Sequence, residues 1–104
     1  MKHFLLEGEH LAPFNELEDL VEAHHEFLQR GYDEGHFLFS GPHVPPHGGF
    51  LVARFESLAA LQSFLAEEPF VKAGKMRFSR TTEFQAVQLQ PILDDWFNGG
   101  TAKI

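Results

Sequence analysis

The segment Leu38-Phe39-Ser40-Gly41-Pro42-His43-Val44-Pro45-Pro46-His47-Gly48-Gly49-Phe50 constrains the fold of this chain most. Its prolines lack a backbone donor and its glycines admit turn conformations, so neither a helix nor an unbroken strand can cross it. The apolar runs on either side, 36–41 and 49–56, are bracketed by Gly and Pro and read as strands. They form a hairpin with a loop longer than the tight two-residue kind. Downstream, Ser57 is a good N-cap, and Leu58, Leu61, Phe64 and Leu65 give a second helix its apolar stripe. That helix stops at Pro69, because a residue before proline avoids helical geometry. Phe70 to Gly74 adds one further turn.

Upstream of the hairpin, residues 2–7 read as a short strand and Gly8 to Ala12 as a connection. Pro13 suits the first turn of a helix. From Phe14 to about Gly31 the apolar positions fall at 14, 17, 20, 21, 27 and 28, which is helical spacing. Position 24 completes that stripe, so His24 lies on the buried face, while His25 is rotated toward solvent. The helix frays through Gly31-Tyr32-Asp33-Glu34-Gly35. Residues 75–89 read as one long strand with Met76, Phe78, Phe84 and Ala86 alternating along it. Pro91 to Phe97 predicts a short C-terminal helix, with Asp94 and Asp95 outward and Trp96 and Phe97 packing. The residues after it are expected to be loose.

The order strand, helix, strand, strand, helix, strand predicts an α+β fold of ferredoxin-like βαββαβ type with an antiparallel sheet. Its helices cover one sheet face, and the other needs a partner. Twelve phenylalanines, against one Tyr and one Trp, are a large apolar load for 104 residues and point to a second subunit as the cover. The domain is read as 1–90, with 91–104 as a C-terminal extension. A formal net charge of −7 and eight scattered Lys and Arg residues disfavour nucleic acid. Without cysteine there is no disulfide framework and no thiolate ligand. No apolar run has signal-peptide or membrane-spanning length, so no membrane partner and a cytoplasmic location are expected.

Four pieces of the chain together resemble the YciI-like (YCII-related) family. They are Lys2-His3-Phe4-Leu5-Leu6, Ala23-His24-His25-Glu26-Phe27-Leu28, Gly35-His36-Phe37-Leu38-Phe39-Ser40-Gly41-Pro42 and Glu68-Pro69-Phe70-Val71-Lys72-Ala73-Gly74. The resemblance covers about residues 2–88 and implies a dimeric α+β barrel, as a homodimer or a higher homo-oligomer. It also implies a small-molecule enzyme working through a His–Asp pair. The family's helical His corresponds to His24. Its Asp lies in the loop after Gly-Pro, where this chain has His43, Val44, Pro45, Pro46 and His47 and no acid before Glu56. Glu68 stands where the family's Asp-Pro-Phe segment has Asp.

On this reading His24 is the acid–base group, since histidine titrates near neutral pH. His43 and His47 are candidates to assist in place of the missing Asp. With His24 they could alternatively ligate zinc, although Pro45 and Pro46 forbid the helix that would align them; the reading taken here has no metal and no cofactor. Ser40, Gly41 and Pro42 line the pocket, with backbone N–H groups near Gly41 able to receive an oxyanion. Glu68 borders it and is read as mainly structural. Arg54 and Arg80 could hold an anionic ligand or serve in salt bridges. Neither a nucleophile elbow nor a phosphate-cradling glycine loop is present. The expected chemistry is a lyase, isomerase or hydrolase step on a small carboxylated or cyclic substrate. The alternative is a non-catalytic dimer that binds a metabolite or acts as a scaffold.

Overall fold

Alternation along the first strand decides how the layers stack. In β1 (Lys2–His10) Phe4 and Leu6 are buried while Leu5 between them is exposed, so one sheet face meets the core and the other does not. A computed structural model describes residues 1–100 of the chain. The expectation of a loose terminus falls partly on residues 101–104, outside the described residues. The remaining strands are β2 (Phe37–Pro42), β3 (Gly48–Phe55) and β4 (Met76–Phe84). Their order across the sheet is β2-β3-β1-β4, with every neighbouring pair antiparallel. This is the ferredoxin-like arrangement that the element order predicts.

Helices α1 (Val21–Asp33) and α2 (Leu58–Leu65) supply Phe27, Leu61 and Leu65 to the core against Phe4, Leu6, Phe37, Leu51, Ala53 and Phe55. Each fully buried Phe or Leu there stabilises the fold by roughly 1.5–3 kcal/mol. Ser57 caps α2 as its sequence predicts, its Oγ accepting from Ala60 N at 3.1 Å. A one-turn helix α3 (Pro69–Lys72) follows. A 3-10 turn at Pro91–Leu93 leads into one-turn α4 (Asp94–Phe97).

Several boundaries differ from the sequence reading. β1 runs on to His10 instead of ending at residue 7, because Gly8 and Glu9 pair with Gly49 and Gly48. The segment from Phe14 starts as two 3-10 turns, and α-helix begins only at Val21. Those turns place Leu17, wholly buried, in a satellite cluster with Phe70 and Met76. α1 also continues through Gly31 to Asp33. Gly31 is a contact point here: a Cβ on it would lie 2.1 Å from the Phe37 ring.

Two irregularities change which side chains share a face. The β1–β4 register shifts at Glu7/Gly8, where Glu7 pairs with Arg80 and Gly8 with Phe78. Ser79 is therefore the extra residue, and Arg80, Thr82 and Phe84 point away from the helices, whereas Met76 and Phe78 point toward them. The predicted strand to residue 89 ends at Phe84. In β2 the register shifts between Phe37 and Phe39, which turns Phe39 outward and Ser40 inward.

The face without helices is partly covered by the chain itself. Buried Arg54 donates from Nε to Gly35 O at 2.7 Å and from Nη1 to Trp96 O. Its guanidinium lies 4.8 Å from the centre of the Trp96 ring. Burial lowers its pKa from the ordinary arginine value, and the charge of Asp95 opposes that. Arg54 is thus committed to backbone carbonyls and to Trp96, and this geometry replaces the idea of an anion-holding Arg54. Arg80 is exposed. His3 packs on Trp96 and Phe97 beside this clamp. Leu5, Phe39, Phe50 and Phe84 remain exposed on the same face.

Gly31→Ala tests the packing of α1 on β2. At an open helical site the change would stabilise by about 1 kcal/mol. Here overpacking against Phe37 dominates, and a net loss of about 1–2 kcal/mol is expected in denaturant unfolding.

Candidate active site

A cavity of about 530 Å³ opens between α1, the start of α3 and the ends of the strands nearest the Pro-rich loop. Glu68 is the N-cap of α3, with extended backbone, and Pro69 follows at the first helical position. Its Oε2 accepts from Val71 N at 3.0 Å, which aims the carboxylate back into the protein. The carboxylate is 1% exposed. Its second oxygen, Oε1, lies 2.5 Å from His24 Nδ1. A carboxylate can only accept, so the proton sits on Nδ1 and Nε2 is the nitrogen left for a ligand. The His24 ring is also stacked on Phe70, with centroids 4.2 Å apart and planes 13° apart. A carboxylate on one edge and an aromatic face beneath leave this imidazole little freedom to turn.

The structure brings together some of the predicted residues and separates others. His24, Ser40, Gly41, Pro42 and Glu68 all line the cavity. Ser40 Oγ lies 2.7 Å from Tyr32 Oη, which fixes the hydroxyl. Gly41 pairs with Phe50 in the β2–β3 ladder. The rings of His43 and His47 do not line the cavity. His43 turns to the far sheet face, its Nε2 2.9 Å from Glu7 Oε2 at an angle that leaves it without a directed hydrogen bond. His47 is exposed and contributes its carbonyl, which accepts from His10 N at 2.9 Å. Among the described residues no group of three His, Cys, Asp or Glu side chains is arranged to hold a metal ion.

The sequence reading missed two things. It placed Glu68 at the border of the pocket in a mainly structural role, whereas Glu68 is the carboxylate that pairs with His24 in this chain. It also ended β1 too early and so passed over His10, which lines the cavity. His10 shares the inward parity of Phe4, Leu6 and Gly8, a signal that was available once the strand was carried to residue 10. Burial, then the neighbouring His24 and His43 charges, lower the His10 pKa below 6.5, while Glu68 opposes the shift.

These features define a class: a ferredoxin-like α+β domain with a histidine–carboxylate pair at an apolar cavity. Residues 1–85 match the model of the YCII-related domain, and the chain belongs to that family. No curated protein matches the chain. A solved structure resembles it over 83% of this chain and 93% of the other, at 22% identity and a TM-score of 0.62. It is the 5-chloro-2-hydroxyhydroquinone dehydrochlorinase of Burkholderia phenoliruptrix AC1100 in complex with 2,5-dihydroxybenzoquinone. At that identity the likeness shows the shared fold.

His3 and His10 predict how stability follows pH. Both pKa values are lowered from 6.5, His3 chiefly by burial and then by the N-terminal and Arg54 charges. As pH falls through 6.5 the unfolded chain takes up these protons before the folded chain does, so stability is lost. Urea midpoints should therefore decrease between about pH 7 and 5.5, and His10→Gln should flatten the slope.

Proposed function

We propose that this chain is a small-molecule enzyme of the YciI-like type, with His24 as its acid–base group. The observation that carries the reading is the His24–Glu68 pair at the edge of an apolar cavity. Glu68, anchored by the Val71 N–H, holds the Nδ1 proton in place. Nε2 can then take a proton from a bound ligand, and the resulting imidazolium is stabilised by the carboxylate beside it. The apolar walls limit water, so the proton returns to the ligand or leaves with a departing group. That chemistry serves an elimination or an isomerisation, and a hydrolysis if water is the proton donor. The dehydrochlorinase that shares the fold removes a proton and chloride from a hydroxylated ring, and a reaction of that type needs one oriented base. Ser40 and Gly41 line the ligand's path. His43 and His47 lie outside the ligand's path and are given no contact with it. Residues 1–90 form the working domain, with 91–104 as an extension.

The enzyme works in the cytoplasm as a homodimer, without nucleic acid or a membrane. No described helix is long and apolar enough to cross a membrane. Support for the dimer comes from the exposed Leu5, Phe39, Phe50 and Phe84, which share the face opposite the helices. A second copy placed sheet-to-sheet would remove them from water.

A panel of chlorinated and hydroxylated ring compounds, followed by chloride release and ultraviolet absorbance, tests the activity. His24→Ala should lower turnover by roughly 10²–10⁴-fold. An unchanged rate in that variant ends the acid–base role. Sedimentation should give twice the chain mass, and Leu5→Glu should give a folded monomer. A dimer that persists in Leu5→Glu places the contact elsewhere.

A further inference from the structure

Along β1 the inward positions run Phe4, Leu6, Gly8, His10. The first two fill the core. Gly8 has no side chain, an added Cβ would make only ordinary contacts with Met76 Sδ at 3.5 Å and with Arg77 O and Met76 Cε at 3.7 Å, and Gly8 itself lines the cavity, so the row passes from core to cavity at this residue. His10 stands at the cavity end of the row. Its backbone is held by the bond from His10 N to His47 O, and its ring meets the Phe70 ring edge-on, with centroids 6.2 Å apart and planes at 85°. His24 stacks on the same Phe70 ring. One aromatic ring thus braces two imidazoles that border one cavity. Among the described residues that line it, none is lysine or arginine, and the one ionisable acid, Glu68, is engaged by His24 and Val71.

We propose that His10 is a second ligand-contacting proton carrier, and that the cavity takes a neutral planar ring compound with polar atoms at two edges. One edge meets His24 Nε2 and the other meets His10. The inference rests on the acid–base reading of His24 and extends it. A carboxylate or phosphate ligand would enter an apolar site with no fixed cation to replace its hydration, which is unfavourable. A neutral ring offers its faces to the apolar walls and its polar atoms to the two imidazoles. Burial and the nearby His24 charge favour the neutral form of His10, which suits it to accept a proton. In a ring tautomerisation one imidazole takes a proton from a ring C–H, while the other, protonated, gives one to a ring oxygen. A C–H and an N–H bond break, and an N–H and an O–H bond form. The proton count is unchanged, and exchange with solvent restores the starting state of both rings.

The full chain, with ¹⁵N-labelled histidine, tests this by titration with phenol as the neutral probe and benzoate as its charged counterpart. Phenol should move the ring resonances of His10 and His24 together and saturably. Benzoate should bind at least about tenfold more weakly. His10→Gln should weaken phenol binding by about tenfold while leaving the His24 ring signals of the free protein in place. If phenol moves His24 alone, the role of His10 falls and the His24 reading stands. If benzoate binds as well as phenol, the neutral-ring class is overturned. If neither histidine responds to phenol, this inference and the cavity reading fall together. The wild-type titration decides among these outcomes even if His10→Gln does not fold.

Discussion

A single buried carboxylate holds the working end of this molecule together. Removing an ionised Glu68 from water costs several kcal/mol, and that cost must be met by directed partners. Two are present: the Val71 N–H, which fixes the first turn of α3, and the His24 Nδ1–H, which reaches over from α1. Hydrogen bonds to a charged group contribute about 1.5–3 kcal/mol each, so the two together are of the size needed to offset burial. The geometry that results is more than a cap. It places Phe70 under the His24 ring, and Phe70 with Leu17 and Met76 forms the satellite cluster beside the main core. Helix end, aromatic platform and imidazole orientation therefore depend on one side chain.

That dependence explains which parts of the site were legible in the sequence. His24 could be placed because it fills a gap in a helical stripe, and 3.6-residue periodicity is a strong signal. Glu68 carried a local signal as well, since an acid before a proline at a helix start is an N-cap. What no local pattern could show was that its other oxygen meets a ring 44 positions away. The family resemblance points to an acid in the loop after Pro42, where this chain has none. The loop histidines then stood in for it, but β2 and β3 carry His43 past the sheet edge to Glu7 on the far face.

The sheet order followed from element order, whereas side-chain facing did not. Period-two alternation assumes an unbroken ladder, and a one-residue bulge inverts everything beyond it. The extra residue at Ser79 moves Phe84 from the helix side to the open face. The shift after Phe37 moves Ser40 into the cavity and Phe39 out of it. Both irregularities sit at the border of the cavity, which Gly8, Phe78 and Ser40 line. Without the second one, a bulky phenylalanine would occupy the wall where Ser40 now meets Tyr32 Oη. The Arg54 clamp was equally hidden. An arginine in an apolar strand reads as an anion holder or a salt-bridge partner, but here it donates to the backbone carbonyls of Gly35 and Trp96, and the C-terminal turn lies over it.

With Arg54 withdrawn from the ligand problem, electrostatics narrows the chemistry further. The chain carries a formal net charge of −7, so its long-range field repels anions before any contact is made. Within the cavity, imidazoles, one hydroxyl and backbone groups are the polar atoms left to meet a ligand, since Glu68 is already engaged. An imidazolium could attract an anion, but protonating His10 and His24 together would put two like charges against the one Phe70 ring, and each disfavours the other. On the proposed acid–base reading, the reaction therefore uses one added proton between the two rings, not two. A pair of imidazoles in that state can give and take a proton at once, which is what moving hydrogen around a neutral ring requires.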